Sequence, residues 1–224
     1  DIDGDSFTFT ASSADTNVIT TVSIDTLTLI PAANWNGQSA ITVVVTDNGL
    51  GTLSDTTTFT FTVNAVNDAP VIAAVSDVIF AEDTSGSLVL SANDIDGDVL
   101  TYSAKSSSAD VAATVSKDTL TLTPAANWNG TSTITAYASD GTLKDSTTFT
   151  LTVTAVNDAP VIMAVANDST NEETEKAIKL SASDIDGDSF TFTASSADTN
   201  VITTVSIDTL TLIPAANWNG QSAI

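Results

Sequence analysis

The chain has 224 residues and a formal charge of −23, from 28 acidic and five basic side chains. A surface that acidic repels nucleic acid and anionic membrane, which argues against both as partners. Cysteine and histidine are both absent, which excludes disulfides, thiol chemistry, the usual catalytic triads and most zinc sites.

The first motif opens the chain. Asp-Ile-Asp-Gly-Asp stands at Asp1 to Asp5 and returns at Asp94 to Asp98 and Asp184 to Asp188. Each copy holds carboxylates at alternate positions and a glycine before the last, so like charges crowd a sharp turn. Calcium suits such a loop, since it takes six to eight oxygen ligands in irregular geometry. Asp1, Asp3, Asp5, Asp94, Asp96, Asp98, Asp184, Asp186 and Asp188 are therefore candidate metal ligands. Without a metal, the same residues would make a polar turn closed by aspartate hydrogen bonds. An EF-hand is excluded: counted from Asp94, the sixth and twelfth positions are Val99 and Lys105, where that loop needs glycine and glutamate.

Residues 1–41 and 184–224 are identical, and a divergent copy lies between them. Internal repetition of this kind governs every later assignment. Pro-Ala-Ala-Asn-Trp-Asn-Gly recurs at Pro31 to Gly37, Pro124 to Gly130 and Pro214 to Gly220. Its Asn-Gly fits a tight turn. Trp35, Trp128 and Trp218 read as plugs at the end of each core, with sugar stacking as the rival role. After Asp47 the first copy carries an insertion, Asn48 to Leu50, absent after Asp140. Asp47, Asp140, Asp25, Asp118 and Asp208 read as turn residues. Thr58 to Val63 then alternates cleanly as a strand.

Val-Asn-Asp-Ala-Pro at Val66 to Pro70 and Val156 to Pro160 marks the boundaries, because proline ends a strand and fixes an extended link. The expected units are the later part of one domain (1–68), one whole domain (69–158) and the earlier part of a third (159–224). Partial domains leave open strand edges, so both chain ends are expected to be cuts in a longer array, and no signal peptide precedes Asp1.

Within the whole domain, alternation predicts strands at Pro70 to Val75, Ser87 to Ala92, Val99 to Ala104, Ala112 to Ser116, Thr119 to Thr123, Thr131 to Ser139 and Thr147 to Ala155. Lys117-Asp118 is a tight turn. Phe149, Leu151 and Val153 face the core. Their threonine neighbours suit an exposed strand, which explains the ladder without invoking ice. Seven short strands with no helical period indicate an all-β chain of tandem immunoglobulin-like Greek-key sandwiches.

Further acidic spots supply ligands. Glu82 and Asp83 follow the first strand, Glu172 and Glu173 hold the same place in the third unit, and Asn67-Asp68 and Asn157-Asp158 lie in the linkers. The first connection of one sandwich lies at the same end as the second connection of the next. Glu82, Asn157, Asp158, Asp184, Asp186 and Asp188 should therefore converge on one junction.

These residues resemble a known family. Glu82, Asn157-Asp158-Ala159-Pro160 and Asp184-x-Asp186 look like the ligands between successive cadherin repeats. The whole pattern is similar to the bacterial cadherin-like tandem repeats of giant surface adhesins, including those of the RTX type. The resemblance implies calcium at the junctions, export to the cell surface, and a role in adhesion or biofilm. The linker departs from cadherins in its short Asn-Asp-Ala-Pro, Glu173 replaces Asp83, and the RTX nonapeptide is absent.

The reading is a non-enzymatic, calcium-stiffened extender whose partners are neighbouring repeats. Lateral self-association is a further expectation, as is contact with a glycan or another cell surface through other domains. The alternative is a carbohydrate-binding module centred on Trp128. Enzymatic hydrolysis by paired carboxylates comes third, because every acidic cluster repeats with the domain. Asn129-Gly130-Thr131 and Asn167-Asp168-Ser169 match a glycosylation sequon.

Overall fold

A computed structural model describes residues 4, 6–51 and 53–224. The candidate ligands Asp1, Asp3 and Asp5 lie outside the described residues. Everything regular among those residues is strand, and no helix is long and apolar enough to cross a membrane. The first unit contributes β1 (Phe7–Ser13), β2 (Val18–Ser23), β3 (Thr26–Pro31), β4 (Gly37–Asp47) and β5 (Ser54–Val63). The middle unit contributes β6 (Val71–Ile72), β7 (Val78–Ala81), β8 (Gly86–Val89), β9 (Ala92–Asn93), β10 (Thr101–Ser106), β11 (Val111–Ser116), β12 (Thr119–Pro124), β13 (Gly130–Ser139) and β14 (Lys144–Thr154). The third contributes β15 (Val161–Ile162), β16 (Lys176–Lys179), β17 (Ala182–Ser183), β18 (Val201–Ser206) and β19 (Thr209–Pro214).

The middle unit is a sandwich of two sheets, β10-β13-β14-β7 and β11-β12-β8, with a small β6-β9 pair. Period-two alternation puts Leu120 and Leu122 of β12 opposite Ile134, Ala136 and Ala138 of β13 and Phe149, Leu151 and Val153 of β14. All are buried, and Ile72, Leu90 and Val111 close the ends of the same core. The all-β, Greek-key expectation therefore describes the fold.

Strand boundaries depart from expectation in instructive ways. The predicted Pro70–Val75 strand is only two residues long. The chain then crosses to the other sheet, where β7 runs parallel to β14 with Leu151 opposite Val78. The predicted Ser87–Ala92 strand likewise breaks in two, β8 pairing with β12 and β9 with β6. Between them Leu90 donates its amide to the Asp118 carbonyl at 2.8 Å. Switching sheets forces a bend that alternation in the sequence does not register. The middle unit thus has nine strand segments, not seven.

Sequence identity does not guarantee identical structure here. Residues 190–196 repeat those of β1, yet form no strand. β1 exists because it pairs along its whole length with β4, from Phe7 opposite Asp47 to Ser13 opposite Ile41. Among the described residues, the counterpart of β4 is limited to 220–224, which reaches only the end of this segment, Ser196 Oγ standing 2.7 Å from Ser222 Oγ. The third unit's core is correspondingly open: Ile162 is 60% exposed where Ile72 is 7% exposed.

The tryptophan motif is a packing device. Trp128 is half-buried and packs against the core, and a Cβ on Gly130 would stand 3.1 Å from its ring. Polar glue recurs at a fixed place in each unit. Buried Ser132 shares its hydroxyl with Ser106 at 2.8 Å and Ser107 at 3.1 Å, and accepts the Ser108 amide at 3.2 Å. Ser39 with Ser13, and Ser222 with Ser196, repeat the contact at 2.7 Å.

The β2–β3, β11–β12 and β18–β19 hairpins turn through two residues each, and the first of these has positive φ: Ile24 (56°), Lys117 (57°) and Ile207 (55°). A β-branched residue in that region is strained by about 1–2 kcal/mol.

Gly86 sits under Phe80, and an added Cβ would lie 2.8 Å from the ring. Gly86→Ala is therefore expected to destabilise the middle unit by about 1–3 kcal/mol through overpacking. Guanidinium unfolding followed by circular dichroism checks this; an unchanged midpoint would mean that Phe80 is free to move.

Candidate metal centre

The acidic loops are built alike at both linkers. Gly97 and Gly187 take φ of 82° and 79°, a region open to glycine at no steric cost. That turn folds the loop back on its first aspartate. Asp94 Oδ1 accepts the amides of Asp96 at 2.9 Å and Asp98 at 3.4 Å. Asp184 Oδ1 accepts those of Asp186 at 3.0 Å and Asp188 at 3.1 Å. So the loop does form the aspartate-closed turn that its sequence allows.

It also grips the linker. The Asp68 amide donates to Asp96 Oδ2, and the Asp158 amide to Asp186 Oδ2, both at 2.7 Å. The linker asparagines differ in their partners. Asn157 Nδ2 reaches the Asp158 carbonyl at 3.2 Å, whereas Asn67 Nδ2 donates to Asp140 Oδ2 at 2.8 Å as well as to the Asp68 carbonyl at 3.3 Å.

Glu82 approaches the second linker from the middle unit. It is 2% exposed, although glutamate is rarely buried without a partner. Its amide donates to the Thr154 carbonyl at 3.0 Å, and its Oε1 accepts the Val156 amide at 2.6 Å. The carboxylate thereby fixes the chain where β14 becomes the linker. Asp83, with φ of 59°, accepts the Asn127 amide at 2.9 Å. Part of its carboxylate is thus spent on the tryptophan turn.

The second junction concentrates charge around Asp158. Burial raises its pKa above the ordinary carboxylate value, and Asp186, Asp83, Glu82 and Asp184 push it further the same way, in that order. Its Oδ2 is sealed from solvent with no hydrogen-bond partner, as is Asp94 Oδ2 at the first linker. A buried acidic oxygen left unpaired is costly, and a cation is what such an oxygen accommodates best. Among the described residues, however, no group of three or more acidic side chains is arranged so that it could hold an ion as it stands. Several oxygens that would face an ion accept backbone amides instead. The donor set is all oxygen, which fits a hard cation and not a soft one.

Sequence-predicted residues divide three ways. Glu82, Asp83, Asp158, Asp184 and Asp186 come together at the second linker, while Asp188 gives its amide to Asp184 in the same loop and the Asn157 side chain turns back on its own chain. Asn67, Asp68, Asp94, Asp96 and Asp98 gather at the first. Glu172 and Glu173 are exposed, and among the described residues no strand packs over Glu172 as β14 does over Glu82. Asp140 is more than the turn residue expected. The Asn67 side chain and the Thr142 and Leu143 amides hold its pKa below the usual carboxylate value, so it stays charged against the linker. Two more aspartates anchor strands: Asp145 accepts the Ile72 amide at 3.0 Å and Asp77 the Thr150 amide at 2.7 Å. Each bond spans 73 residues of sequence, so nothing local could have signalled it.

A family model described as "Bacterial Ig domain" matches residues 67–154 and 157–224. Among solved structures, human CDH23 EC21-23 is 14% identical, with a TM-score of 0.47 over 82% of this chain and 75% of that one. A protocadherin gammaB7 EC3-6 cis-dimer is 19% identical, with a TM-score of 0.42 over 96% and 62%. An endo-fucoidan hydrolase from glycoside hydrolase family 107, MfFcnA4, is 19% identical, with a TM-score of 0.36 over 93% and 34%. The chain spans 34%, 62% and 38% of the first three solved structures it matches. No curated protein sequence matches it.

A raised pKa has a definite sign. The folded state holds the Asp158 proton more tightly than the unfolded state. In metal-free buffer this group favours folding below the usual carboxylate range and opposes it as pH climbs through the raised value. Asp158→Asn should therefore raise the thermal midpoint at pH 7 in chelator and flatten its rise on acidification. A midpoint lowered at pH 7 would show that the charge is not under strain there.

Proposed function

The chain belongs to the bacterial Ig domain family, and from that premise we propose that it is a calcium-stiffened extender of an exported adhesin. The observation that carries this reading is the setting of Asp158. Its carboxylate lies amid Asp186, Asp83, Glu82 and Asp184, drawn from two units and the linker between them. Like charges brought together across a link push it open unless a cation intervenes.

Asp158, Asp184, Asp186, Glu82 and the free oxygen of Asp83 would hold the ion at the second junction. Asp68, Asp94 and Asp96 would supply part of the first, with Asn67 oriented by Asp140. Calcium would contribute positive charge and a preference for many oxygens, which ties carboxylates of both neighbours to one centre. The chain's own part is to deliver those oxygens. Glu82 pins the exit of β14, and the Asp186 side chain pins the linker amide to the next unit.

The role is structural. Each acidic group recurs with its unit, as expected of a device that sets spacing rather than of a unique catalytic pocket. The neutral, threonine-rich strands and acidic ends suit a secreted, elongated protein. A giant surface adhesin of the RTX type is the setting that the motif order favours. Trp128 packs inward against the core, which disfavours the sugar-binding reading.

Calcium is expected to raise the thermal midpoint, since it stabilises the folded state by about 2.7 kcal/mol at a hundredfold excess over its dissociation constant. Chelator should shorten or broaden the distribution of particle lengths in small-angle scattering. Asp184→Ala with Asp186→Ala should abolish that response at the second junction while the unit at 69–158 keeps its unfolding transition. A scattering envelope indifferent to calcium would end the proposal.

A further inference from the structure

The outer units differ from the middle one on a face that the junctions do not use. In β2–β3, Ile19 stands directly opposite Ile30, and both point outward, 60% and 48% exposed. In β18–β19, Ile202 stands opposite Ile213, 59% and 36% exposed. The hairpin tips add Ile24 and Ile207, 89% and 90% exposed. The middle hairpin carries Ala112 opposite Thr123 and Lys117 at its tip. Missing strands do not explain the exposure. The third unit's β16-β19-β18 sheet has the same three strands as the middle unit's β8-β12-β11, and its isoleucine pair remains open.

Two features mark this face as more than chance. The tip isoleucines hold a backbone conformation that costs a β-branched residue energy, and asparagine or glycine would relieve it. Strain kept at an exposed apolar tip points to use. In addition, β2, β3, β18 and β19 contain no charged residue, on a chain with a net charge of −23. β11 and β12 are equally uncharged, and Asp25 and Asp208 sit beside the tip isoleucines, so it is over the strands themselves that a second acidic copy meets little repulsion. At the third unit's tip, Lys179 also lies 3.2 Å from Asp208.

We propose that the isoleucine faces of the outer hairpins bind a second copy of this chain, side by side. Area decides how. A face two or three strands wide and six residues long measures roughly 20 by 10 to 14 Å. One such face against another buries on the order of 500 Å² in all, the size of a casual contact; two at once reach about 1,000 Å², the threshold of a specific interface. The chain carries one face on each outer unit, so both are needed, and the second contact forms at high effective concentration once the first has formed. The alternation of unlike units then has a meaning: adhesive hairpins are spaced by a unit that lacks them. The contact itself uses none of the candidate calcium ligands, so it stands apart from the calcium reading.

Sedimentation equilibrium of the whole chain tests it, over a concentration series from micromolar to several hundred micromolar, in calcium and again in chelator. The weight-average mass is expected to climb above 22.9 kDa towards twice that value in both buffers. Ile19→Ala, Ile30→Thr, Ile202→Ala and Ile213→Thr together copy the middle hairpin and should weaken association at least tenfold. Ile24→Asn with Ile207→Asn relaxes the strained turns, so it should hold or raise the thermal midpoint while also weakening association. A wild-type chain that stays monomeric across the series overturns the proposal. So do variants that associate as tightly as wild type, which would place the contact on the open core of the third unit instead.

Discussion

Repulsion between carboxylates at the linkers is the constraint around which this chain is arranged. Most of the sheet surface is neutral hydroxyl and methyl, while acidic side chains crowd the loops at the ends of each unit. The fold gathers them with backbone amides. Asp94 and Asp184 close their own loops, Asp96 and Asp186 reach to the linker, and Glu82 secures the strand that leads into it. Each carboxylate gains a partner in this way, and the sum is still a concentration of negative charge that burial makes worse at Asp158. On the proposed reading, this unbalanced charge and the unpartnered Oδ2 atoms of Asp94 and Asp158 are what a cation would answer. That is the physical content of the extender reading.

The two linkers are variations on this scheme. At the first, Asn67 ties the link to Asp140 in the loop between β13 and β14. At the second, Asn157 turns back on its own chain, and Glu82 and Asp83 of the preceding unit come near Asp158 instead. Successive junctions in one chain are therefore not equivalent, and neither are the hairpin faces between them. On the proposed readings, alternating units would let one chain carry a stiffening device at every link and an apolar contact only at every second unit.

Much of the architecture was legible because alternation is a local signal. Phe149, Leu151 and Val153 fall inward as their spacing requires. The parallel pairing of β7 with β14 was not legible, since Val78 to Ala81 follows a short irregular stretch with no alternation long enough to stand out. The break between β8 and β9 hid for the opposite reason: its residues alternate smoothly through a change of sheet. In the acidic site, the recurrence of Asp-Ile-Asp-Gly-Asp exposed the loops. The contribution of Asp140 stayed hidden, because its partner Asn67 lies far away in sequence. Asp83 was expected to face the junction, and half of it faces the tryptophan turn instead.

One segment written twice, a strand at 7–13 and irregular at 190–196, shows that pairing and not local preference makes the strand. During synthesis the chain emerges in order, so β1 must wait, unpaired, until β4 has appeared, and β10 until β13. Repeats of similar sequence offer wrong partners during that wait. Interleaving a divergent unit between identical ones moves the nearest perfect decoy a full unit further along the chain, which gives sequence divergence a kinetic consequence beyond any it has in the folded chain.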